Sequence, residues 1–152
     1  MKLQMKIIDP RIGTPGFPVP ARQTPESAGI DLMAMVPETL TLNPGDSAKI
    51  GAGVAIYLKD PNFVGFVIPR SGMGSKGFSL KNTIGVIDAD YQGELLMMVK
   101  NTGEAPLVIN PGDRVAQYVV VPVALPGLDV VETFDTSTHR GTGGFGSTGT
   151  AS

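Results

Sequence analysis

The sequence predicts an all-β protein, and three observations carry the prediction. Its apolar residues fall in short runs rich in valine and isoleucine, whose branched side chains favour strands over helices. Glycine, with 20 residues, and proline, with 13, separate these runs at short intervals. No stretch has the apolar period of a helix longer than a turn or two. Many short strands with regular turn signals are typical of a sandwich, a barrel or a jelly roll.

The clearest strands and turns follow one another along the chain. The strand runs are residues 48–58, 64–68, 95–99 and 115–121, and Pro122 ends the last of them. The tetrapeptide Asn-Pro-Gly-Asp occurs at residues 43–46 and 110–113, each time before a strand. Proline followed by glycine suits the centre of a type II turn, because glycine accepts a positive φ. The proline-rich residues 14–26 predict an extended surface connection.

Length and composition bound the functions that the chain can serve. A chain of 152 residues predicts one domain, and a net charge of −2 without a basic block argues against a nucleic-acid partner. Cysteine is absent and histidine occurs once, which excludes disulfides, thiolate chemistry and Cys- or His-rich metal sites. No apolar run suits a signal peptide or a membrane span, so we expect a cytoplasmic protein that does not bind membranes.

Residues 69–77 form the first candidate binding loop, directly after the strand run 64–68. The segment Pro-Arg-Ser-Gly-Met-Gly-Ser-Lys-Gly combines two cations, two hydroxyls and three glycines. Such a loop could cradle phosphates through its backbone N–H groups and its charges. It lacks the spacing of a Walker A loop, and a flexible cationic hairpin loop is the alternative.

Residues 82–95 predict a β-hairpin with carboxylates at its mouth. An apolar run leads into Asp88, Asp90, Tyr91 and Gly93, after which a second strand begins. In an extended segment Asp88 and Asp90 share a face, and their separation suits water activation or a metal. The alternative is that both acids only satisfy backbone groups of the turn.

Three more polar residues interrupt apolar surroundings. Asp31 lies among small and apolar residues, so we expect an arginine or backbone N–H partner for it. Arg114 and Gln117 stand in the apolar run 115–121 or directly before it, and either face solvent or line an interior site.

The C-terminal stretch 140–149 places one arginine, one aromatic ring and three hydroxyls among five glycines. Such a segment does not hold a fixed shape alone, because glycine loses the most backbone freedom on ordering. It could order over a ligand, with Arg140 on phosphates and Phe145 on a base. A disordered tail is the alternative.

Together these segments resemble a known family. Residues 28–32, 69–72, 85–94, 111–117 and 140–149 are similar to the five ordered motifs of the trimeric dUTPases, and the resemblance spans residues 28–149. It implies a distorted jelly roll that forms a homotrimer, with a single domain over residues 1–138 and a flexible C-terminal arm over 139–152. It also implies hydrolysis of dUTP to dUMP and diphosphate, with Mg²⁺ on the triphosphate. That activity keeps uracil out of DNA and supplies dUMP for dTMP synthesis.

The resemblance also implies a role for each matching residue. Asp88 is expected to activate the attacking water, and Tyr91 to pack beneath the deoxyribose. The uracil pocket is expected from Asn82, Val86, Ile87 and Leu96. The phosphate contacts are expected from Arg70, Ser71, Gly72, Gln117 and Arg140, with Asp31 in support. Phe145, Gly146 and Ser147 of the arm are expected to close over the substrate. No side chain is expected to bind Mg²⁺ directly, since phosphates and water suffice as its ligands.

Two other functions stay open on sequence grounds. A dCTP deaminase shares the fold and the Pro-Arg-Ser motif, but it needs a catalytic glutamate and lacks the Gly-Gly-Phe-Gly arm. A non-catalytic regulatory protein on the same scaffold is the second, although Asp88, Tyr91, Arg140 and Phe145 are all present. Compared with many bacterial members, the loop between Arg70 and Asn82 is about one residue shorter, and Lys81 replaces an expected small residue.

Overall fold

A computed structural model describes residues 2–144 of the chain. Its strands are β1 (Gln4–Ile7), β2 (Gly29–Met33), β3 (Leu40–Leu42), β4 (Ser47–Tyr57), β5 (Phe63–Pro69), β6 (Phe78–Leu80), β7 (Gly85–Ile87), β8 (Glu94–Asn101), β9 (Leu107–Ile109) and β10 (Arg114–Pro122). A single helical turn, α1 (Ser71–Gly74), follows β5. The predicted all-β class is therefore confirmed. The predicted strand runs 64–68, 95–99 and 115–121 lie within β5, β8 and β10, and the run 48–58 extends one residue past the end of β4.

The strands form two antiparallel four-stranded sheets and a small ribbon. The first sheet has the order β1-β4-β8-β6 and the second has the order β2-β10-β5-β7. Strands β3 and β9 pair with each other. Two packed antiparallel sheets with crossover connections make the jelly roll that the sequence predicted.

The core lies between the two sheets and follows the alternation of strand side chains. In β8, Leu95, Met97 and Val99 are buried, whereas Leu96 and Met98 between them face outward. The second sheet contributes Leu32, Val67 and Tyr118 to the same cluster. Because the core takes every second residue of β8, its other residues remain available on the outer face.

Both Asn-Pro-Gly-Asp segments adopt the predicted turn. Gly45 and Gly112 have φ values of 87° and 84°, as the third position of a type II turn requires. In the first turn the Asp46 N–H donates to the Asn43 carbonyl at 3.0 Å, and the Asp46 carboxylate accepts from the Asn43 N–H at 2.9 Å. Each turn therefore closes with its own aspartate, just before β4 or β10.

The connection before β2 runs along the surface, as predicted for residues 14–26. Its start is held by Arg11, whose guanidinium pairs with Asp9 at 2.7 Å and lies 5.1 Å from the centre of the Phe17 ring. The hydrogen bond from Arg11 lowers the pKa of Asp9 despite the opposing effect of desolvation. This cluster fixes the chain ahead of the long connection.

Two β-bulges interrupt the ladders and bear on the site described below. In the pairing of β10 with β2, the register shifts between Arg114 and Ala116. In the pairing of β4 with β8, it shifts between Gly51 and Ala55. Each bulge inserts residues into one strand only. The single extra residue in β10 changes the face on which the residues beyond it lie, whereas the two extra residues in β4 leave the alternation unchanged.

Over residues 2–144, no helix has the length and apolar character needed to cross a membrane.

Candidate active site

A pocket of about 150 Å³ opens beside the turn that joins β7 to β8. The two strands do not pair with each other, because β7 pairs with β5 in the second sheet whereas β8 pairs with β4 and β6 in the first. The β-hairpin predicted for residues 82–95 is therefore wrong, and the segment is instead a crossing from one sheet to the other. Its walls are formed by Val86, Ile87, Asp88, Tyr91, Glu94 and Leu96. The short strand β7 supplies the apolar wall, the turn supplies Asp88 and Tyr91, and Leu96 comes from the outward-facing side of β8. Five of the residues that the sequence predicted for substrate binding and catalysis thus meet in one place.

The Tyr91 side chain is held by the turn that joins β7 to β8. Its hydroxyl donates to the Glu94 carbonyl at 2.9 Å. The ring folds back across Gly93, where a Cβ atom would overlap the phenol group. Glycine at position 93 is therefore required by the ring that covers it, and the ring presents a defined edge to the pocket.

Asp88 lies between this pocket and a second depression. A groove of about 450 Å³ on the other side is lined by Asp88, Asp90 and mainly apolar neighbours from residues 61–64 and 123–125. Asp90 lines the groove, but the pocket beside Tyr91 is lined by Asp88 and not by Asp90. Of the two aspartates that the sequence singled out, Asp88 is the one placed beside the Tyr91 ring.

A separate cluster of charges surrounds Asp31. Its carboxylate pairs with the Arg70 guanidinium at 2.9 Å and with the Arg114 guanidinium at 3.1 Å. Asp31 is buried, whereas both arginines are partly exposed. The predicted arginine partner of Asp31 is confirmed, and the cluster carries one net positive charge from two cations and one anion.

The bulge in β10 explains how Arg114 reaches Asp31. Gln117 pairs directly with Asp31 across the ladder, so their side chains share a face of the sheet. Arg114 stands three residues before Gln117, and in a regular strand its side chain would point to the opposite face. The extra residue at Val115 restores Arg114 to the face of Asp31.

The predicted phosphate loop begins where β5 ends. The Arg70 N–H donates to the Val115 carbonyl at 3.1 Å, which ties the loop to β10. The Arg70 carbonyl accepts from the Gly74 N–H at 2.9 Å in the single turn α1. Ser71 and Gly72 are exposed at the start of that turn, and their contact with phosphate stays a prediction.

A family model described as dUTPase matches residues 16–149. The chain belongs to the dUTPase family. It is 51% identical over 149 residues to the deoxyuridine 5'-triphosphate nucleotidohydrolase of Psychrobacter sp. (strain PRwf-1), covering 97% of each chain. These matches confirm the predicted family and enzyme class.

Solved dUTPases share the fold. The dUTPase of Staphylococcus bacteriophage 80alpha, solved with dUPNHPP, gives a TM-score of 0.78 at 29% identity, covering 97% of this chain and 98% of that one. A single-site mutant of the dUTPase from phage phi11 of S. aureus, solved to describe the coordination of a structural Mg(II) ion, gives 0.75 at 28% identity and covers 90% and 100%.

Some predicted dUTPase site residues lie away from the pocket beside the β7–β8 turn of the same chain. Asn82 occupies the turn between β6 and β7, where its carbonyl accepts from the Ile84 N–H at 2.7 Å. Arg70 and Gln117 belong to the Asp31 cluster and do not line the pocket. Arg140 is exposed, and its Nε donates to the nearby Gly143 carbonyl at 3.0 Å. Phe145, Gly146 and Ser147 lie outside the described residues.

Two residues gain importance that the sequence did not give them. Arg114 was noted only as a polar interruption, but it is the second partner of Asp31. Glu94 was noted only as part of the hairpin, but it lines the pocket, and its carboxylate accepts from the Gly53 N–H at 2.9 Å. The sequence signal that could have identified Glu94 is the position of an acidic residue directly before the predicted strand run 95–99.

The described residues contain no group of three or more His, Asp or Glu side chains that could hold a metal ion.

Proposed function

We propose that the protein hydrolyses dUTP to dUMP and diphosphate with Asp88 as general base. A water oxygen attacks the α-phosphorus, its proton passes to the Asp88 carboxylate, and the bond to the departing diphosphate breaks. Water is a poor nucleophile at neutral pH, so a positioned carboxylate accelerates the attack. The observation that carries this proposal is the position of Asp88 at the rim of the pocket, beside the Tyr91 ring.

The pocket beside the β7–β8 turn suits a deoxyuridine. Val86, Ile87 and Leu96 offer apolar contacts for the flat base, and Asn82 would contribute from the turn before β7. The Tyr91 ring, fixed by the Glu94 carbonyl, would pack beneath the sugar and leave no room for a 2′-hydroxyl. The edge of cytosine carries an amino group where uracil carries a carbonyl, so fixed backbone groups of β7 and of the turn after it would reject it.

The Asp31 cluster suits the phosphates. Its net positive charge remains available to an anion because Asp31 neutralises only one of its two arginines. Arg70 would meet phosphate oxygens together with Ser71 and Gly72, and Gln117 would contact the region of the α-phosphate. Asp31 would support the site by orienting both guanidinium groups, since a paired arginine keeps its fork in one orientation.

Magnesium fits this site as a companion of the substrate. Mg²⁺ prefers oxygen ligands and keeps several waters, and triphosphate oxygens with few or no carboxylates satisfy it. When bound, the ion would neutralise charge on the triphosphate, whose position Arg70 and the loop around it would set. The Mg(II) ion of the phi11 dUTPase is consistent with a role for magnesium in the family.

We propose that three chains share each site. The uracil pocket and the arginine cluster occupy different elements of one chain, and no residue among 2–144 belongs to both. The outer face of the second sheet carries Gln117 at one end and the partly exposed Phe66 and Val119 beyond it. An apolar face of this kind suits burial against another copy of the chain in a homotrimer.

The residues after the domain of residues 1–138 would complete the site. Arg140 would meet the γ-phosphate, while Phe145, Gly146 and Ser147 would close over the nucleotide from a neighbouring chain. Closure excludes bulk water and adds positive charge where the phosphates need it. The glycine-rich arm of residues 139–152 pays for its ordering through those contacts alone.

The cellular role follows from the reaction. Removal of dUTP keeps uracil out of DNA, and the product dUMP is the precursor for dTMP. Because the substrate is a nucleotide of the cell interior, we place the reaction in the cytoplasm.

Diphosphate release from dUTP, dCTP and UTP in the presence of Mg²⁺ tests the proposal. We expect rapid release from dUTP and little from the other two. Ammonia release from dCTP would instead indicate a deaminase. Absence of turnover with all three nucleotides would indicate a non-catalytic regulatory protein.

A further inference from the structure

The bulge in β4 creates a seat for the side chain of the first residue of β8. Gly51 pairs with Leu96 and Ala55 pairs with Glu94, so three residues of β4 stand opposite a single residue of β8. The Gly53 N–H lies within this irregular stretch, and the Glu94 carboxylate accepts it at 2.9 Å. A side chain thus supplies the hydrogen bond that the interrupted ladder does not.

Glycine makes room for this seat. The Glu94 carboxylate lies against Gly51, where a Cβ atom would overlap Oε1. Gly53 has a φ of 70°, and a Cβ there would lie only 2.8–2.9 Å from atoms of Met35, Asp9 and Ile12. The carboxylate is therefore received by bare backbone in a conformation that favours glycine.

The backbone of the same residue holds the Tyr91 ring. The Glu94 carbonyl accepts from the Tyr91 hydroxyl at 2.9 Å, and the ring covers Gly93. Glu94 is the first residue of β8, so its own position depends on how the strand is anchored at that end. The side chain anchors Glu94 to β4, and the carbonyl anchors Tyr91 to Glu94.

We propose that Glu94 is a positioning residue that sets the preference for deoxyribose over ribose nucleotides. The inference rests on the proposed function, in which the Tyr91 ring excludes a 2′-hydroxyl. Steric exclusion of one hydroxyl requires a ring that does not give way, and a small displacement admits the larger sugar. Glu94 does not need to touch the nucleotide, because it acts through Tyr91.

The test compares kcat/KM for dUTP with kcat/KM for UTP in matched variants. In Glu94→Ala the acceptor for the Gly53 N–H is lost, and we expect the dUTP-to-UTP ratio to fall by roughly tenfold, the scale of a single steric contact. Glu94→Gln keeps an oxygen acceptor and should keep most of the ratio. Glu104→Ala, at an exposed acid in the turn after β8, is the matched control and should leave the ratio unchanged.

Two further variants keep the test decisive if Glu94→Ala folds poorly. Gly51→Ala places a methyl group where the carboxylate lies and should lower the ratio while Glu94 is still present. Tyr91→Phe removes the hydroxyl, and its loss of selectivity should not add to that of Glu94→Ala, because both break the same link.

A purely structural role for Glu94 would reduce kcat/KM for both nucleotides in equal proportion and leave their ratio intact, which would overturn the inference. A ratio that falls as far in Glu94→Gln as in Glu94→Ala would overturn it as well. A wild-type protein without dUTP turnover would overturn the proposed function and this inference together, whereas an active wild type with unchanged ratios would overturn the inference alone.

Discussion

Asp88 is distinguished from Asp90 by location alone. Both are exposed aspartates of one turn, but the pocket beside Tyr91 is lined by Asp88. Asp88→Asn keeps the size of the side chain and removes the base, so turnover of dUTP should fall by roughly 10²- to 10⁴-fold while binding persists. Steady-state kinetics and nucleotide titration measure the two effects. Asp90→Asn is the control, and a larger loss in Asp90→Asn would transfer the role to Asp90.

Asp31 matters because it is the anion between two cations. Asp31→Ala leaves the Arg70 and Arg114 guanidinium groups to repel each other, and it also removes a buried, hydrogen-bonded group. Since both arginines are partly exposed, water offsets part of the loss, and we expect a destabilisation of about 1–3 kcal/mol. Urea unfolding measures this against Asp129→Ala, which changes an exposed acid. Equal midpoints for the two variants would contradict a supporting role for Asp31.

At the scale of elements, β5 and β10 pack together at one point where a glycine of one strand makes room for a tyrosine of the other. The Tyr118 ring of β10 lies over Gly65 of β5, where a Cβ atom would overlap the phenol group. Gly65→Ala should therefore destabilise the protein by about 1–3 kcal/mol through overpacking. Tyr118→Leu in the same chain should recover part of that loss, so the double variant would be more stable than the sum of the single effects. Strict additivity in thermal melts would show that the two side chains do not meet.

The Tyr118 hydroxyl also makes the free energy of unfolding depend on pH in the alkaline range. It is buried, finds no hydrogen-bond partner among residues 2–144, and burial raises its pKa to about 12 from the ordinary 10.0. Because the pKa of Tyr118 is higher in the folded state than in the unfolded state, its full contribution to stability is present below about pH 10. That contribution is lost as the pH rises towards 12. Urea midpoints should fall between about pH 9 and 11.5, and less so in Tyr118→Phe. Parallel curves for both proteins would exclude Tyr118 as the cause.

Regular elements could be predicted from the sequence because their causes are local. The valine-rich run 115–121 and the Asn-Pro-Gly-Asp turns carry their own backbone preferences, and the structure confirms them. The bulge at Val115 and the Glu94 seat could not be predicted, because each depends on a strand distant in sequence. Family resemblance supplied the grouping of Asp88 with Tyr91, whereas the pairing of Arg114 with Asp31 needed coordinates.

At the scale of the whole molecule, the arm and the domain should separate cleanly. Deletion of everything after His139 removes Arg140 and the glycine-rich stretch, and none of the described residues 140–144 belongs to the core. We expect an unchanged thermal midpoint and oligomer, with turnover of dUTP nearly abolished. Phe145→Ala should lose less, because Arg140 and the backbone donors remain. Normal turnover in the truncated protein would show that the residues after His139 have no role in catalysis.

Assembly is tested by mass. The proposed sharing of sites predicts three chains per particle, which multi-angle light scattering measures directly. A fully active single chain would contradict the shared site, since the uracil pocket and the arginine cluster occupy different elements.

The apolar segment after β10 would make the stability of the proposed homotrimer depend on protein concentration. Leu128, Val130 and Phe134 are 94%, 96% and 89% exposed in the single chain, and in the proposed homotrimer a neighbouring chain would cover them. Mass action then links folding to abundance, because the covered form gains stability with each increase in concentration. Dilution would act on this protein as a denaturant does, and its melting temperature should rise over a hundredfold concentration series. In a cell that makes few copies, the protein would therefore be less stable than in a cell that makes many.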